Sequence, residues 1–142
     1  MRSQALSVGL ALAFVVVASG CKRQAPPSTD PPADQPTRGL VVYVNTCAGC
    51  HGENGEGDED KPALIGAGAL PLRPPEGRSR QAQFATAKDL FEYTKESMPQ
   101  LAPGSLSDEQ CWEVVSYLLK ANGVSVGGDL GPSNAASIKL QR

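Results

Sequence analysis

Cys47-Ala48-Gly49-Cys50-His51 puts two thiols and an imidazole into one pentapeptide. Thiols three positions apart stand about one helical turn from each other. Both can therefore reach one edge of a planar tetrapyrrole and form thioethers with its two vinyl groups, while the next residue points its imidazole at the iron. A Cys-x-x-Cys-His run is read on these grounds as an attachment site for haem c. Two other chemistries use paired cysteines. A thioredoxin-like redox pair follows a strand in a βαβ unit, and the sequence shows no such alternation. Structural zinc needs four ligands at motif spacing. Here Cys111 is the only spare soft ligand, and the chain has no second histidine.

Counting narrows the second axial ligand. His51 is the single histidine, and Met1 and Met98 are the only methionines. Met1 falls within a leader that is expected to be removed. Met98, in Ser97-Met98-Pro99, is then the remaining thioether. A His/Met pair raises the reduction potential and leaves no open position on the iron, which suits electron transfer rather than substrate chemistry. The alternative is a core methionine and a five-coordinate iron. That arrangement would serve a haem enzyme or a gas or redox sensor.

The chain around these residues is short. It has 142 residues, 40% apolar and 5% aromatic, with Gly 15 and Pro 12, enough for one modest domain. A core so poor in aromatics gains from a large apolar group at its centre. The net charge of −2 and the lack of basic runs exclude nucleic-acid binding. Residues 1–20 read as a signal peptide: Arg2, an apolar stretch from Ala5 to Ala18, then Ala18-Ser19-Gly20. That stretch is shorter than the ~20 residues of a membrane span. Ala18-Ser19-Gly20-Cys21 resembles the bacterial lipoprotein processing box, which implies cleavage before Cys21 and lipidation of its thiol. Residues 21–37 carry Pro26, Pro27, Pro31, Pro32 and Pro36 and read as an extended tether. The domain is expected over 38–123, and 124–142, rich in Gly, Ser and Ala, as an extended or weakly docked tail.

Three helical patterns lie within the domain. Gly39, Tyr43 and Cys47 recur at i, i+4 and i+8, flanked by Leu40 and Val44. Thr86-Ala87-Lys88-Asp89 starts a second helix, with Leu90, Phe91 and Thr94 leading to Met98 and an end set by Pro99. Ser107-Asp108-Glu109-Gln110 is a capping box, preceded by Leu106 for a hydrophobic staple with Cys111. Cys111, Val114, Val115, Leu118 and Leu119 form the apolar stripe behind it, and Asn122-Gly123 supplies the stop. Cys111 reads as a small buried apolar residue, with a reactive thiol as the alternative. Residues 52–83 would be a long loop for a compact domain unless they wrap a bound group. Asp58, Glu59 and Asp60 read as a surface turn, without the spacing of a calcium loop. Arg73, Arg78 and Arg80 are candidates for the haem propionates, since guanidinium matches carboxylate.

Over residues 38–123 these motifs resemble the class I, single-haem cytochrome c family. The resemblance rests on Cys47-x-x-Cys50-His51, the preceding Gly39 and Tyr43, Pro62-Ala63-Leu64 and Met98-Pro99. It implies an all-α cytochrome c fold of three to five helices around one covalent haem. The first helix would cross the C-terminal helix at Gly39, near Trp112 and Tyr117. The Pro62 carbonyl would accept from the His51 ring, Leu64 would pack on the haem, and Met98 would be the axial methionine. The implied activity is single-electron transfer rather than catalysis, by a monomer that meets dehydrogenases, reductases or oxidases transiently or serves as the haem subunit of a larger oxidoreductase. The implied location is the periplasmic side of the bacterial cell envelope, lipid-anchored. A haem-free thiol or zinc-binding lipoprotein is the remaining alternative.

Overall fold

The computed structural model describes residues 33–74, 76–77 and 80–140. The signal peptide, Cys21 and all of the tether before residue 33 lie outside the described residues, as does Arg78. Four helices make up the regular structure: α1 (Gln35–Thr46), α2 (Ala48–His51), α3 (Ala87–Ser97) and α4 (Asp108–Ala121). The described residues contain no strand, only an isolated antiparallel bridge between Thr86 and Lys139. None of the described helices is long and apolar enough to cross a membrane.

Each long helix starts on a side-chain cap. Asp34 accepts from the Thr37 N–H at 2.9 Å at the head of α1. In α3 the Thr86 hydroxyl accepts from the Asp89 N–H, and Asp89 accepts in return from the Thr86 N–H at 2.8 Å. Ser107 and Gln110 make the same reciprocal pair at α4. These bonds satisfy N–H groups that a helix start leaves without partners. Both capping patterns were expected from the sequence, and so was the α4 stop, where Gly123 adopts φ 74.

The core forms where α1 crosses α4. Gly39 is the contact point: a Cβ built there would lie 1.9 Å from the Glu113 carbonyl oxygen and 2.9 Å from Tyr117 Cβ. Only a residue without a side chain lets the two backbones approach so closely. Tyr43 and Tyr117 meet on one side of the crossing with ring centroids 5.3 Å apart. Phe91 of α3 stacks on Trp112 of α4 at 3.6 Å. Val42, Leu90, Cys111, Val114, Val115, Leu118 and Leu119 fill the space between. Cys111 is fully buried, as its position on the apolar stripe implied.

Three expectations need correction. Leu40 and Val44 do not flank the buried face of α1; they are 40% and 57% exposed, and Val42 packs inward instead. The helix also begins at Gln35, inside the stretch read as tether. Pro36 stands in its first turn, where a missing N–H costs no helical bond. The third correction concerns residues 124–142, expected as an extended tail. Leu130, Ala135 and Leu140 are buried in the core cluster, and the segment is bonded to both α1 and α3. Small residues allow that close docking, so their scarcity of apolar surface did not mean weak packing.

Candidate haem-binding site

The attachment pentapeptide occupies the bend between α1 and α2. Cys47 closes α1, its N–H donating to the Tyr43 carbonyl at 2.8 Å. Its own carbonyl accepts from Cys50 at 3.0 Å and His51 at 2.9 Å, which winds the single turn of α2. Gly52 ends that turn at φ 85. The Tyr43 hydroxyl, fully buried, donates to the Gly52 carbonyl at 2.6 Å and pins the end of the turn to α1. Burial lifts the Tyr43 hydroxyl to about 12, so it stays a donor through the ordinary pH range.

His51 is buried and held at both ends. Its carbonyl accepts from the Gly57 N–H at 2.8 Å. Its ring Nδ1 lies 2.9 Å from the Pro62 carbonyl oxygen. A carbonyl only accepts, so this bond places the ring proton on Nδ1 and leaves the Nε2 lone pair for a metal. The turn between these bonds is tight. A Cβ at Gly57 would lie 2.5 Å from the Lys61 carbonyl oxygen and the Ala63 nitrogen. The Asp58 carboxylate accepts from the N–H groups of Asp60 and Lys61, so residues 58–60 form the surface turn expected of them.

The thiols fit covalent attachment better than the rival chemistries. Cys47 is half-buried, Cys50 is exposed, and neither is in a disulfide. Burial pushes the Cys47 thiol up to about 11, the reverse of the depressed value of an activated redox cysteine. Among the described residues no group of three or more His, Cys, Asp or Glu side chains could hold a metal ion. Two unpaired thiols one turn apart, beside an imidazole with Nε2 left free, match the donor set of haem c. When bound, that group supplies a one-electron iron couple.

The other candidates take varied places. Leu64 packs against the core, and its carbonyl accepts from Asn122 Nδ2 at 2.8 Å. Asn122 also accepts from the Gly66 N–H at 3.1 Å, so it clamps the loop beyond the attachment turn to the end of α4. Sequence reading took Asn122 only as part of a helix stop; its polarity in an otherwise apolar stretch was the available signal. Met98 follows Ser97 as the C-cap of α3, with its N–H bonded to the Thr94 carbonyl and its side chain half-buried. The segment after it meets the histidine loop through Lys61 Nζ, which donates to Gln100 Oε1 at 3.2 Å. Arg73 is exposed. Arg80 lies 3.9 Å above the Phe84 ring and donates to the Ala82 and Pro71 carbonyls, so its guanidinium braces its own loop. Two surface hollows, about 290 and 440 Å³, lie elsewhere; Cys47, Cys50, His51 and Met98 line neither.

The cytochrome c family model matches residues 36–122. The chain belongs to the cytochrome c family, and its fold is the family's all-α fold. Haem c held covalently is the cofactor this implies, with Cys47 and Cys50 in the Cys-x-x-Cys-His motif. A thiosulfate dehydrogenase of Stutzerimonas stutzeri (strain A1501) is 32% identical over 83 residues, which are 57% of this chain and 25% of that protein. The chain thus spans about a quarter of that relative's length. Among solved structures, the sulfane dehydrogenase SoxCD from Paracoccus pantotrophus matches at a TM-score of 0.56 and 25% identity, covering 76% of this chain and 53% of that one. The thiosulfate dehydrogenase TsdBA from Marichromatium purpuratum matches at 0.45 and 26%, covering 65% of this chain and 19% of that one.

Proposed function

We propose that this cytochrome is a single-electron carrier with His51 and Met98 as its axial ligands. The observation that carries the reading is the bond from His51 Nδ1 to the Pro62 carbonyl beside two free thiols. It fixes the tautomer and orientation of the imidazole and makes Nε2 a stronger donor. Met98 is the only methionine among the described residues, and it stands where α3 ends. Two axial ligands held by packed helices change little between oxidation states, which favours rapid one-electron exchange over substrate binding.

Gly49 and Cys50 are exposed, so electrons would enter and leave by the edge that carries the thioethers. Partners would be oxidoreductases met in small, transient contacts. Two of the proteins it resembles are named for the dehydrogenation of reduced sulfur compounds, which supports a dehydrogenase as one such partner. The leader and Cys21 support a lipid-anchored protein on the periplasmic side of the cell envelope. Arg73 is retained as a propionate partner on its exposure and charge.

The test is a spectrum of protein made in a host able to attach haem. The oxidised form should show the weak sulfur-to-iron band at about 695 nm. Met98→Ala should lose that band and bind CO readily. A wild-type protein that lacks the band and binds CO would instead favour the open-site reading, an enzyme or a sensor.

A further inference from the structure

The family match ends at residue 122, yet the chain continues to residue 140 with Leu130, Ala135 and Leu140 buried in the core. This segment first returns to α1. The Gln35 side-chain amide donates to the Leu130 carbonyl at 2.9 Å and accepts from the Leu130 N–H at 2.7 Å, and both bonds are buried. Asn134 then closes a turn, accepting from the Gly131 N–H and donating to the Asp129 carbonyl.

The segment next reaches the head of α3. The first N–H groups of a helix have no acceptor within it. In α3 two of them are satisfied from outside: Ala87 donates to the Ile138 carbonyl at 2.9 Å and Lys88 to the Ala135 carbonyl at 3.3 Å. The Leu140 N–H donates in the other direction, to the Ala85 carbonyl at 3.1 Å. Ala135, Leu140 and Ala87 are all buried at this joint. Among the described helices α3 packs only on α4. Beyond α4, the ring of Tyr93 meets Phe84 at 5.3 Å along the body of α3, and the C-terminal segment is the hold at its head.

We propose that residues 129–140 are a strap that positions Met98. The strap grips the start of α3, and Met98 is the residue that ends it. Fixing the helix at its head fixes the direction and reach of its tail, which sets how long the thioether stays on the iron. The strap touches no reacting atom; it acts through α3. This inference rests on the His51/Met98 reading above.

The test uses the holoprotein and imidazole as a probe that binds ferric iron only when Met98 is off. Its apparent affinity rises with the fraction of protein in the open form. Deleting residues 135–142 removes the three backbone bonds to the head of α3, and Leu140→Asp disrupts the joint without shortening the chain. Each should raise imidazole affinity by about tenfold or more and weaken the long-wavelength sulfur band. Covalent haem, measured by mass, should stay complete. Ser107→Ala, which weakens the α4 cap away from the joint, should lower Tm yet leave imidazole affinity within about twofold.

Three results overturn the proposal, and they are distinguishable. If Met98→Ala raises imidazole affinity but neither strap variant does, the strap alone is wrong. If Ser107→Ala raises affinity as much as the strap variants at an equal loss of Tm, the effect is general loosening and the strap is again wrong. If Met98→Ala binds imidazole no better than wild type, the ligand assignment falls and the strap's role falls with it.

Discussion

His51 shows how few atoms decide the site. One carbonyl, that of Pro62, selects the tautomer, and one amide, that of Gly57, holds the backbone. The attachment motif was readable from residue types and spacing, because local geometry over a few residues dictates it, whereas the ring bond to Pro62, eleven positions on, was implied only by the family resemblance. The Tyr43 hydroxyl bond was foreseen in neither way. Tyr43 read as a packing residue, since its acceptor is a backbone carbonyl that only the folded turn brings within 2.6 Å. Tyr43→Phe should cost about 1 kcal/mol by removing the shorter of the two bonds to the Gly52 carbonyl, which also accepts from the Gly55 N–H at 3.2 Å. The pH dependence has a definite sign. The hydroxyl ionises at 10.0 when free and at about 12 when folded. Its contribution is therefore whole below pH 10.0 and is lost as pH rises through about 12. Denaturant unfolding across that range should show an alkaline loss in wild type that is smaller in Tyr43→Phe.

At the scale of elements, caps and breakers were the legible part. Thr86, Ser107, Pro99 and Gly123 act where their chemistry placed them, because a helix end is set by a few adjacent groups. The start of α1 was obscured by composition. Pro36 follows a proline-rich run, yet proline is as much at home in a first helical turn as in a spacer. Which face of α1 turns inward was half legible. Gly39 and Tyr43 are buried as expected, while Leu40 and Val44 are exposed because the crossing with α4 is narrow and takes Val42 instead. That narrowness makes a firm prediction. Gly39→Ala puts a methyl group into the Glu113 carbonyl, an obstruction of backbone rather than of a flexible side chain. The helices must separate, at a cost of about 1–3 kcal/mol or more, read as a lowered Tm of the holoprotein.

For the whole molecule, the C-terminal segment is what sequence reading missed. Its few apolar residues suggested a loose tail. In the fold Leu130, Ala135 and Leu140 are each buried, and the remaining hold comes from backbone bonds that carry no compositional signature. Gln35 is the clearest case: a polar side chain at a helix start, matched by a residue 95 positions away. Gln35→Ala would orphan both the N–H and the carbonyl of Leu130 in a buried setting. Each unsatisfied group costs about 1–3 kcal/mol, so chemical denaturation should show a loss larger than any surface substitution gives. A Gln35→Glu variant restores the acceptor alone and should recover only part of it.

The crossing of α1 and α4 also orders events in the life of the chain. It joins positions 75 residues apart, as in the ion pair of Arg38 with Glu113. A polypeptide is made from its N-terminus, so Cys47, Cys50 and His51 emerge long before α4 exists to close over them. During that interval nothing covers Cys47, and its sulfur is as reachable as any thiol on an open chain. Once α4 arrives, the same sulfur becomes half-buried and reluctant to ionise. Before the crossing closes, the Cys47 sulfur is therefore more open than after it. The glycine at the crossing is what lets the two helices shut so tightly once that interval is over.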